Sequence, residues 1–146
     1  MVSGNGTPPP EPIRIGLGEA LGANAGIAAQ CFTVYIPNKD KAGKELGNQR
    51  LWVLEVIDLM TRLNGGATAM PVEGAWRNEQ GTTIWEYPVV VYSYLKPEVF
   101  FANLPAIREF LHRMGRETNQ GEVAFEFEAE FFLIDQFDPP AQGASA

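Results

Sequence analysis

The stretch GEVAFEFEAEFFLI, residues 121–134, decides the fold that the sequence predicts. From Val123 to Phe131 its odd positions are apolar, whereas the even positions Glu126, Glu128 and Glu130 carry carboxylates. A period of two is typical of a strand with one buried face, because successive side chains of a strand point to opposite sides. The stretch therefore predicts a sheet with one covered apolar face and one face that is open to water or to a partner.

The rest of the chain supplies three further strands and two helices around this strand. The extended runs are rich in branched and aromatic residues, and the helical runs have an apolar stripe at helical spacing. The predicted order is strand, helix, strand, strand, helix, strand, over residues 30–36, 48–63, 67–76, 83–95, 97–115 and 123–134. Pro105 lies inside the second helix and predicts a kink or a division there, with Asn103 as the cap of the second part.

This order of elements predicts an α+β fold of the ferredoxin-like βαββαβ type, a four-stranded antiparallel sheet with two helices on one face. The predicted core comprises Phe32, Val34, Ile36, Leu59, Val89, Val91, Leu104, Ile107, Leu111, Phe125, Phe127 and Phe131. Residues 30–135 are the predicted domain. Residues 1–29 are predicted to be a mobile N-terminal tail with an ancillary strand or coil, and residues 136–146 a mobile C-terminal tail, because both are rich in glycine, proline and small residues.

Composition narrows the classes of function. The chain has 146 residues with a formal net charge of -7, which disfavours binding to nucleic acid and to anionic membrane. Its single cysteine, Cys31, excludes an intramolecular disulfide framework and a multi-cysteine zinc site. We find no apolar run of the roughly 20 residues that a membrane span needs and no signal-peptide pattern, so we expect a cytoplasmic protein. Nothing in the sequence predicts a cofactor.

The open face of the predicted sheet is the first candidate site. If Phe125 and Phe127 face the helices, the glutamates share the other face with side chains from the central strands. Tyrosine suits an interface because it buries a ring while its hydroxyl keeps a polar contact. We therefore predict self-association through a surface comprising Tyr35, Val90, Tyr92, Tyr94 and Glu128. The carboxylates would repel the phosphates of RNA. Neighbouring glutamates, roughly 6.5–7 Å apart along the strand, could share a hard cation, but Glu126 and Glu130 are too far apart to join one shell without another strand, so no metal is predicted.

The polar loop 116–120 and the hairpin before it are the second candidate site, because loops on a rigid scaffold often carry function. The candidate ligand-binding residues are Arg116, Asn119, Gln120, Trp76 and Tyr87. The candidate acid/base residues are Glu117, Glu73 and Glu86, with Arg116 as the clamp for an anionic group. The competing interpretation is structural, since an arginine favours a helix C-terminus and Thr118 and Asn119 suit a turn. His112, the single histidine, is predicted to lie on the solvent side of its helix.

Three strings of this chain resemble small bacterial proteins of similar length to which no activity is attached. The strings are residues 65–68 (GGAT), 73–76 (EGAW) and 114–123 (MGRETNQGEV). The resemblance covers most of residues 30–134 and implies a bacterial, cytoplasmic protein, without implying any site residue.

Two hypotheses of different classes follow. The first is an oligomeric binding or interaction module, with a small molecule or another protein as a further partner. The second is a small acid/base enzyme of isomerase or hydrolase type. The position of the candidate carboxylates relative to Arg116 discriminates between them, because an enzyme needs these groups to converge on one pocket.

Overall fold

The computed structural model describes residues 12–23 and 29–142 of the chain. Within these ranges there are four helices, α1 (Pro12–Ala20), α2 (Gln49–Asn64), α3 (Pro97–Ala102) and α4 (Leu104–Glu117). The strands are β1 (Gln30–Ile36), β2 (Thr68–Pro71), β3 (Gly74–Arg77), β4 (Thr83–Glu86), β5 (Val89–Leu95), β6 (Val123–Phe127) and β7 (Glu130–Ile134). The chain is therefore α+β.

The strands form two sheets. The main sheet is five-stranded in the order β2-β5-β1-β6-β7, and every neighbouring pair in it is antiparallel. Strands β3 and β4 form a separate two-stranded hairpin. The prediction of a four-stranded ferredoxin-like sheet with two helices was wrong, because the sheet has a fifth strand, a second sheet is present and the described residues contain four helices.

The fifth strand exists because the stretch 121–134 is a hairpin rather than one strand. Glu128 and Ala129 both have positive φ, 49° and 63°, and form a two-residue turn between paired Phe127 and Glu130. A tight hairpin turn of this type usually contains asparagine or glycine, which tolerate positive φ. The sequence lacks that signal. Two hydrogen bonds to β1 help to offset the cost of positive φ at Glu128. The Glu128 carboxylate accepts from Cys31 N at 2.6 Å, and Glu128 N donates to Cys31 O at 3.1 Å.

The predicted long hairpin 67–95 is broken into two pairs of strands. Strand β2 pairs with β5 in the main sheet, whereas β3 pairs only with β4 among the described strands. The break falls at Val72 and Pro88, where Val72 N donates to Pro88 O at 3.0 Å. A proline cannot donate to a ladder, so the pairing changes partner at this point.

The core lies between the main sheet and helices α2, α3 and α4. Its fully buried side chains include Phe32 and Val34 of β1, Val91 of β5, Val56 of α2 and Met114 of α4. Most of the predicted core is confirmed. Two members were wrong, because Leu104 and Phe131 are exposed side chains. Phe131 changes face because the two-residue turn shifts the alternation between β6 and β7.

The described parts of the two predicted tails contain a helix at the N-terminal end and contacts with the domain at the C-terminal end. Residues 12–20 form α1, so the expected strand or coil there was wrong. Phe137 packs against the core, and Asp138 is bound to α4 through Arg108. Residues 1–11, 24–28 and 143–146 of the predicted tails lie outside the described residues. None of the helices within 12–23 and 29–142 has the length and apolar character to cross a bilayer.

Candidate functional site

The face of the main sheet that points away from α2 and α4 is the first candidate site, and we call it the open face. The strand registers place on it Cys31, Thr33, Tyr35, Thr68, Met70, Val90, Tyr92, Tyr94, Ala124, Glu126, Phe131 and Leu133. The opposite side of the same strands carries the buried core, including Val34 and Val91. The open face is therefore formed by all five strands.

Large apolar and aromatic side chains dominate the exposed part of the open face. Met70 is 44% exposed, Tyr94 59%, Phe131 54% and Leu133 52%. Tyr92 and Tyr94 contact each other edge to face with ring centres 6.1 Å apart. Isolated apolar residues are ordinary on a protein surface, whereas several large ones on one sheet face favour a contact surface.

A tyrosine and a glutamate form the polar centre of the open face. The Tyr35 hydroxyl donates to Glu126 Oε2 at 3.0 Å, and the Tyr35 ring meets Phe131 edge to face at 6.0 Å. Partial burial raises the pKa of the Tyr35 hydroxyl, and the hydrogen bond to Glu126 and the charge of that carboxylate raise this pKa further. This half-buried hydrogen bond is a polar contact within the otherwise largely apolar open face.

The structure separates the three glutamates that the sequence placed together. Glu126 lies on the open face, Glu128 lies in the turn at its edge, and Glu130 pairs with Phe127 on the helix side. The interface candidates Tyr35, Val90, Tyr92 and Tyr94 all lie on the open face, while Glu128 binds Cys31 N at the margin. Sequence reasoning missed Met70, Phe131 and Leu133 in this surface, and only recognition of the β6–β7 turn would have revealed the last two.

A polar cleft of about 340 Å³ beside the C-terminus of α4 is the second candidate site. It is lined by Asp40, Lys44, Glu45, Leu46, Gly47, Asn48, Glu117, Thr118 and Asn119. Three carboxylates against one lysine give the cleft an acidic character. Much of its wall is held by internal bonds: Asp40 accepts from the backbone N of Ala42 at 2.8 Å and of Lys44 at 2.9 Å, and the bond from Lys44 lowers the pKa of the Asp40 carboxyl.

The predicted ligand and acid/base residues divide between this cleft and other places. Glu117 and Asn119 line the cleft. The Arg116 guanidinium instead donates to the carbonyl of Asp138, and Gln120 donates to Lys39 O at 2.8 Å. The structure therefore does not bring Arg116 and Glu117 to one pocket.

The remaining candidates lie on or beside the β3–β4 hairpin. Trp76 and Tyr87 are exposed, Glu86 pairs with Gly74, and Glu73 directly precedes that glycine. Tyr87 N donates to Asn38 Oδ1 at 3.0 Å, which ties the base of the hairpin to the loop after β1. No contact of these residues with Glu117 follows from the described hydrogen bonds.

His112 is buried, so its predicted place on the solvent side was wrong. Only 6% of the residue is exposed, and its Nδ1 accepts a hydrogen bond from Asp138 N at 2.8 Å. The Asp138 carboxylate also pairs with Arg108 at 2.7 and 2.9 Å, and these bonds lower the pKa of Asp138. Arg108, His112 and Arg116 thus hold the C-terminal segment against α4, which is a structural use of all three. Within the described ranges, no group of three or more His, Cys, Asp or Glu side chains is placed to hold a metal ion.

The described residues thus define an α+β domain with one covered and one open sheet face, and this architecture occurs in solved structures. The chain resembles a phage SAM lyase in complex with S-methyl-5'-thioadenosine, with a TM-score of 0.51 and 12% sequence identity over 77% of this chain and 94% of that chain. It also resembles a phage SAM lyase in the apo state, with a TM-score of 0.52 and 15% identity over the same shares. Identities this low show a shared fold only. No family model and no curated protein matches the chain.

Proposed function

We propose that this protein is a self-associating binding module whose copies contact one another through the open face. The observation that carries the proposal is the set of exposed Met70, Tyr94, Phe131 and Leu133 side chains on one face of a sheet whose other face packs against the helices through the buried core. Burial of apolar surface is the main favourable term in most protein association. A second copy offers the same surface, so both copies would cover their patch in one symmetric contact.

The character of the open face supports an interface rather than a phosphate-binding surface. Aromatic residues and methionine are enriched at the centres of interfaces, whereas charged residues are depleted there. Among the open-face residues, Glu126 is the charged one, and it is hydrogen bonded to Tyr35. The net charge of -7 also opposes binding to nucleic acid. Bacterial origin and a cytoplasmic location remain part of this proposal.

The proposal is tested by measuring the mass of the assembly by native mass spectrometry and by light scattering after size exclusion. Tyr92→Asp places a charge in the middle of the open face, so we expect a smaller assembly. Leu51→Asp is the matched control, because Leu51 is 66% exposed and lies on α2, which packs against the opposite face of the sheet. A wild-type protein that stays monomeric at high concentration would overturn the proposal.

A second candidate function is a small enzyme that binds an adenosine-containing ligand. The observation that favours it is the likeness to the lyase bound to S-methyl-5'-thioadenosine, which extends over 94% of that protein. The cleft beside α4 supplies Glu117 as a candidate acid/base group and Asn119 as a candidate hydrogen-bonding group. Arg116, which the sequence suggested as the clamp for an anionic group, instead donates to the carbonyl of Asp138 and does not line this cleft.

Calorimetric titration with S-methyl-5'-thioadenosine and with SAM tests this second candidate, followed by chromatography of SAM incubated with the protein. We expect binding that Glu117→Gln weakens and that Glu79→Gln, a change in the hairpin loop, leaves unchanged. Absence of heat and of product with both compounds at millimolar concentration would remove the enzyme hypothesis for this ligand class.

A further inference from the structure

The outer edge of β7 is a second contact surface, made by backbone groups at the margin of the open face. We infer that β7 pairs antiparallel with β7 of a second copy, so that the two main sheets join into one continuous sheet. The inference rests on the proposed self-association and adds to it which backbone groups meet. It is carried by the hydrogen-bonding pattern of β7, by its sequence and by the contrast with the opposite edge strand.

The turn fixes which backbone groups of β7 point outward. Phe127 and Glu130 flank the two-residue turn, and the flanking pair of such a hairpin exchanges hydrogen bonds, so Glu130 and every second residue after it point their N–H and C=O groups to β6. The hydrogen bond from Glu128 N to Cys31 O leads to the same assignment independently. It shows that the backbone of Glu128 points toward β1, so the backbone of Phe127 points the other way, toward β7. Phe131 and Leu133 therefore direct their backbone donors and acceptors away from the sheet.

Strand β7 also lacks the features that normally protect an edge. Protective edges carry proline, lysine, a bulge or a very short strand. From Phe131 to Ile134 the strand has four apolar residues in succession, with no charge and no proline. The opposite edge, β2, is four residues long and ends with Pro71, which removes a donor. One edge of the sheet is thus blocked by its sequence and the other is not.

The sequence of β7 fits a second copy of itself. With Phe132 facing Phe132 across a two-fold axis, Phe131 pairs with Leu133, and the outward groups make about four backbone hydrogen bonds. In this register Glu130 lies opposite Ile134, so no like charges face each other. A parallel pairing would instead place Glu130 beside its own copy, which is unfavourable. These features favour antiparallel pairing of β7 with β7 of a second copy.

The side chains across the joint would also be compatible. Phe131 and Leu133 would lie side by side on the open face, where each is more than half exposed in the single chain. Phe132 stacks on Phe125 at 4.9 Å on the helix side and is also partly exposed, so its copy would extend that stack. Aromatic and aliphatic neighbours across strands stabilise a sheet.

The test combines a proline substitution with hydrogen exchange of the full chain. Leu133→Pro removes an outward N–H without removing a hydrogen bond between β6 and β7, and Leu133→Val is the matched control that keeps the N–H. We expect Leu133→Pro to raise the dissociation constant at least about 10-fold and Leu133→Val to change it by less than about 3-fold. Circular dichroism and a thermal melt check that both variants are folded.

Amide exchange of the wild type gives a reading that does not depend on a variant. In the inferred assembly the amides of Phe131 and Leu133 exchange slowly and become fast on dilution to monomer, together with the loss of mass. If Leu133→Pro fails to fold, this measurement alone decides the question. An assembly in which these two amides exchange at the rate of a free edge would overturn the edge pairing and leave the proposed function standing.

The two surfaces are separated by combining their variants. We expect Tyr92→Asp to leave an edge-paired dimer and the double variant Tyr92→Asp with Leu133→Pro to be a monomer. Because the Leu133 side chain also lies on the open face, the matched control is Tyr92→Asp with Leu133→Val, which should stay an edge-paired dimer. A Tyr92→Asp protein that is already monomeric would contradict edge pairing. A wild-type chain that is monomeric at all concentrations would contradict both the edge pairing and the proposed function.

Discussion

The two faces of the main sheet are built from the same strands but have opposite environments. On β5, Val91 is fully buried under the helices, while the next residue, Tyr92, points to the open face. On β1, Val34 and Tyr35 show the same contrast. Both faces carry apolar residues, although the part of the chain that the structure describes covers only one of them. The comparison teaches that alternation alone does not distinguish a water-facing side from a partner-facing side.

The largest expected effect comes from placing a charge on the covered face. Val91→Asp buries a carboxylate without a partner, so we expect a loss of stability of about 4–5 kcal/mol or more, which would unfold most of the protein. Urea denaturation followed by circular dichroism measures this loss. Tyr92→Asp, one residue away on the open face, should cost about 1 kcal/mol or less while it reduces the mass of the assembly. Equal losses from the two changes would contradict the assignment of the faces.

The next effect tests how the C-terminal segment closes the helix side. A Cβ built on Gly115 of α4 would overlap the ring of Phe137, so we expect Gly115→Ala to cost about 1–3 kcal/mol through overpacking. Gly66→Ala is the control, because a Cβ there meets no atom within 4 Å, and it should change stability by about 0.5 kcal/mol or less. Thermal melts of the two variants measure the difference, and identical melting temperatures would show that Phe137 is not packed in this position.

A smaller and opposite effect is expected in the turn that shifts the alternation of β7. Ala129 has a φ of 63°, which costs an alanine more than a glycine, so Ala129→Gly should stabilise the protein by about 0.5–1 kcal/mol. Ala124→Gly on β6 should instead destabilise it by a similar amount, because that residue lies in a regular strand. Chemical denaturation of both variants tests the turn. A destabilising Ala129→Gly would mean that the turn does not have this conformation.

The smallest effect concerns the polar centre of the open face. The pKa of the Tyr35 hydroxyl is raised in the folded protein, so its contribution to stability is fully present below about pH 10 and is lost as the pH rises through the raised pKa. Glu126→Gln removes the negative charge, and it should bring the titration of Tyr35 back toward that of an ordinary tyrosine. Absorbance titration of tyrosinate, compared with a Tyr35→Phe protein, measures the shift. An unchanged titration in Glu126→Gln would leave burial as the whole cause.

Some features of the fold followed directly from the chain. The apolar stripe predicted a helix over residues 48–63, close to the observed α2. Gly65, directly after this helix, takes the left-handed conformation that ends it, with a φ of 83°. Pro105 predicted the division between α3 and α4 at Asn103. The Asn103 side chain, however, donates to Val99 O instead of capping α4. Local signals of glycine and proline act through their own backbone, so they are readable from the sequence.

Other features could not be read because they depend on residues far away in the chain. The positive φ of Glu128 is accompanied by a hydrogen bond to its carboxylate from Cys31 N, and Cys31 lies 97 residues earlier in the chain. His112 is buried by Phe137 and Asp138, which follow the last strand. The candidate cleft likewise joins the loop 40–48 to the end of α4. In each case the residues could be read from the sequence, but the distant residues that they contact could not.

The sequence by itself determined where most of the extended and helical runs lie, the acidic charge and the existence of a sheet with two dissimilar faces, because periodicity and composition are local properties. It did not determine that residues 67–76 and 121–134 each divide into two strands. The tertiary structure alone decided which side chains share the open face, that β7 is an edge strand of the main sheet among the described residues, and that Arg116 binds the carbonyl of Asp138. The physical reason is that a two-residue turn reverses the chain and resets the alternation, so that every later side chain takes its face from the register with the partner strand.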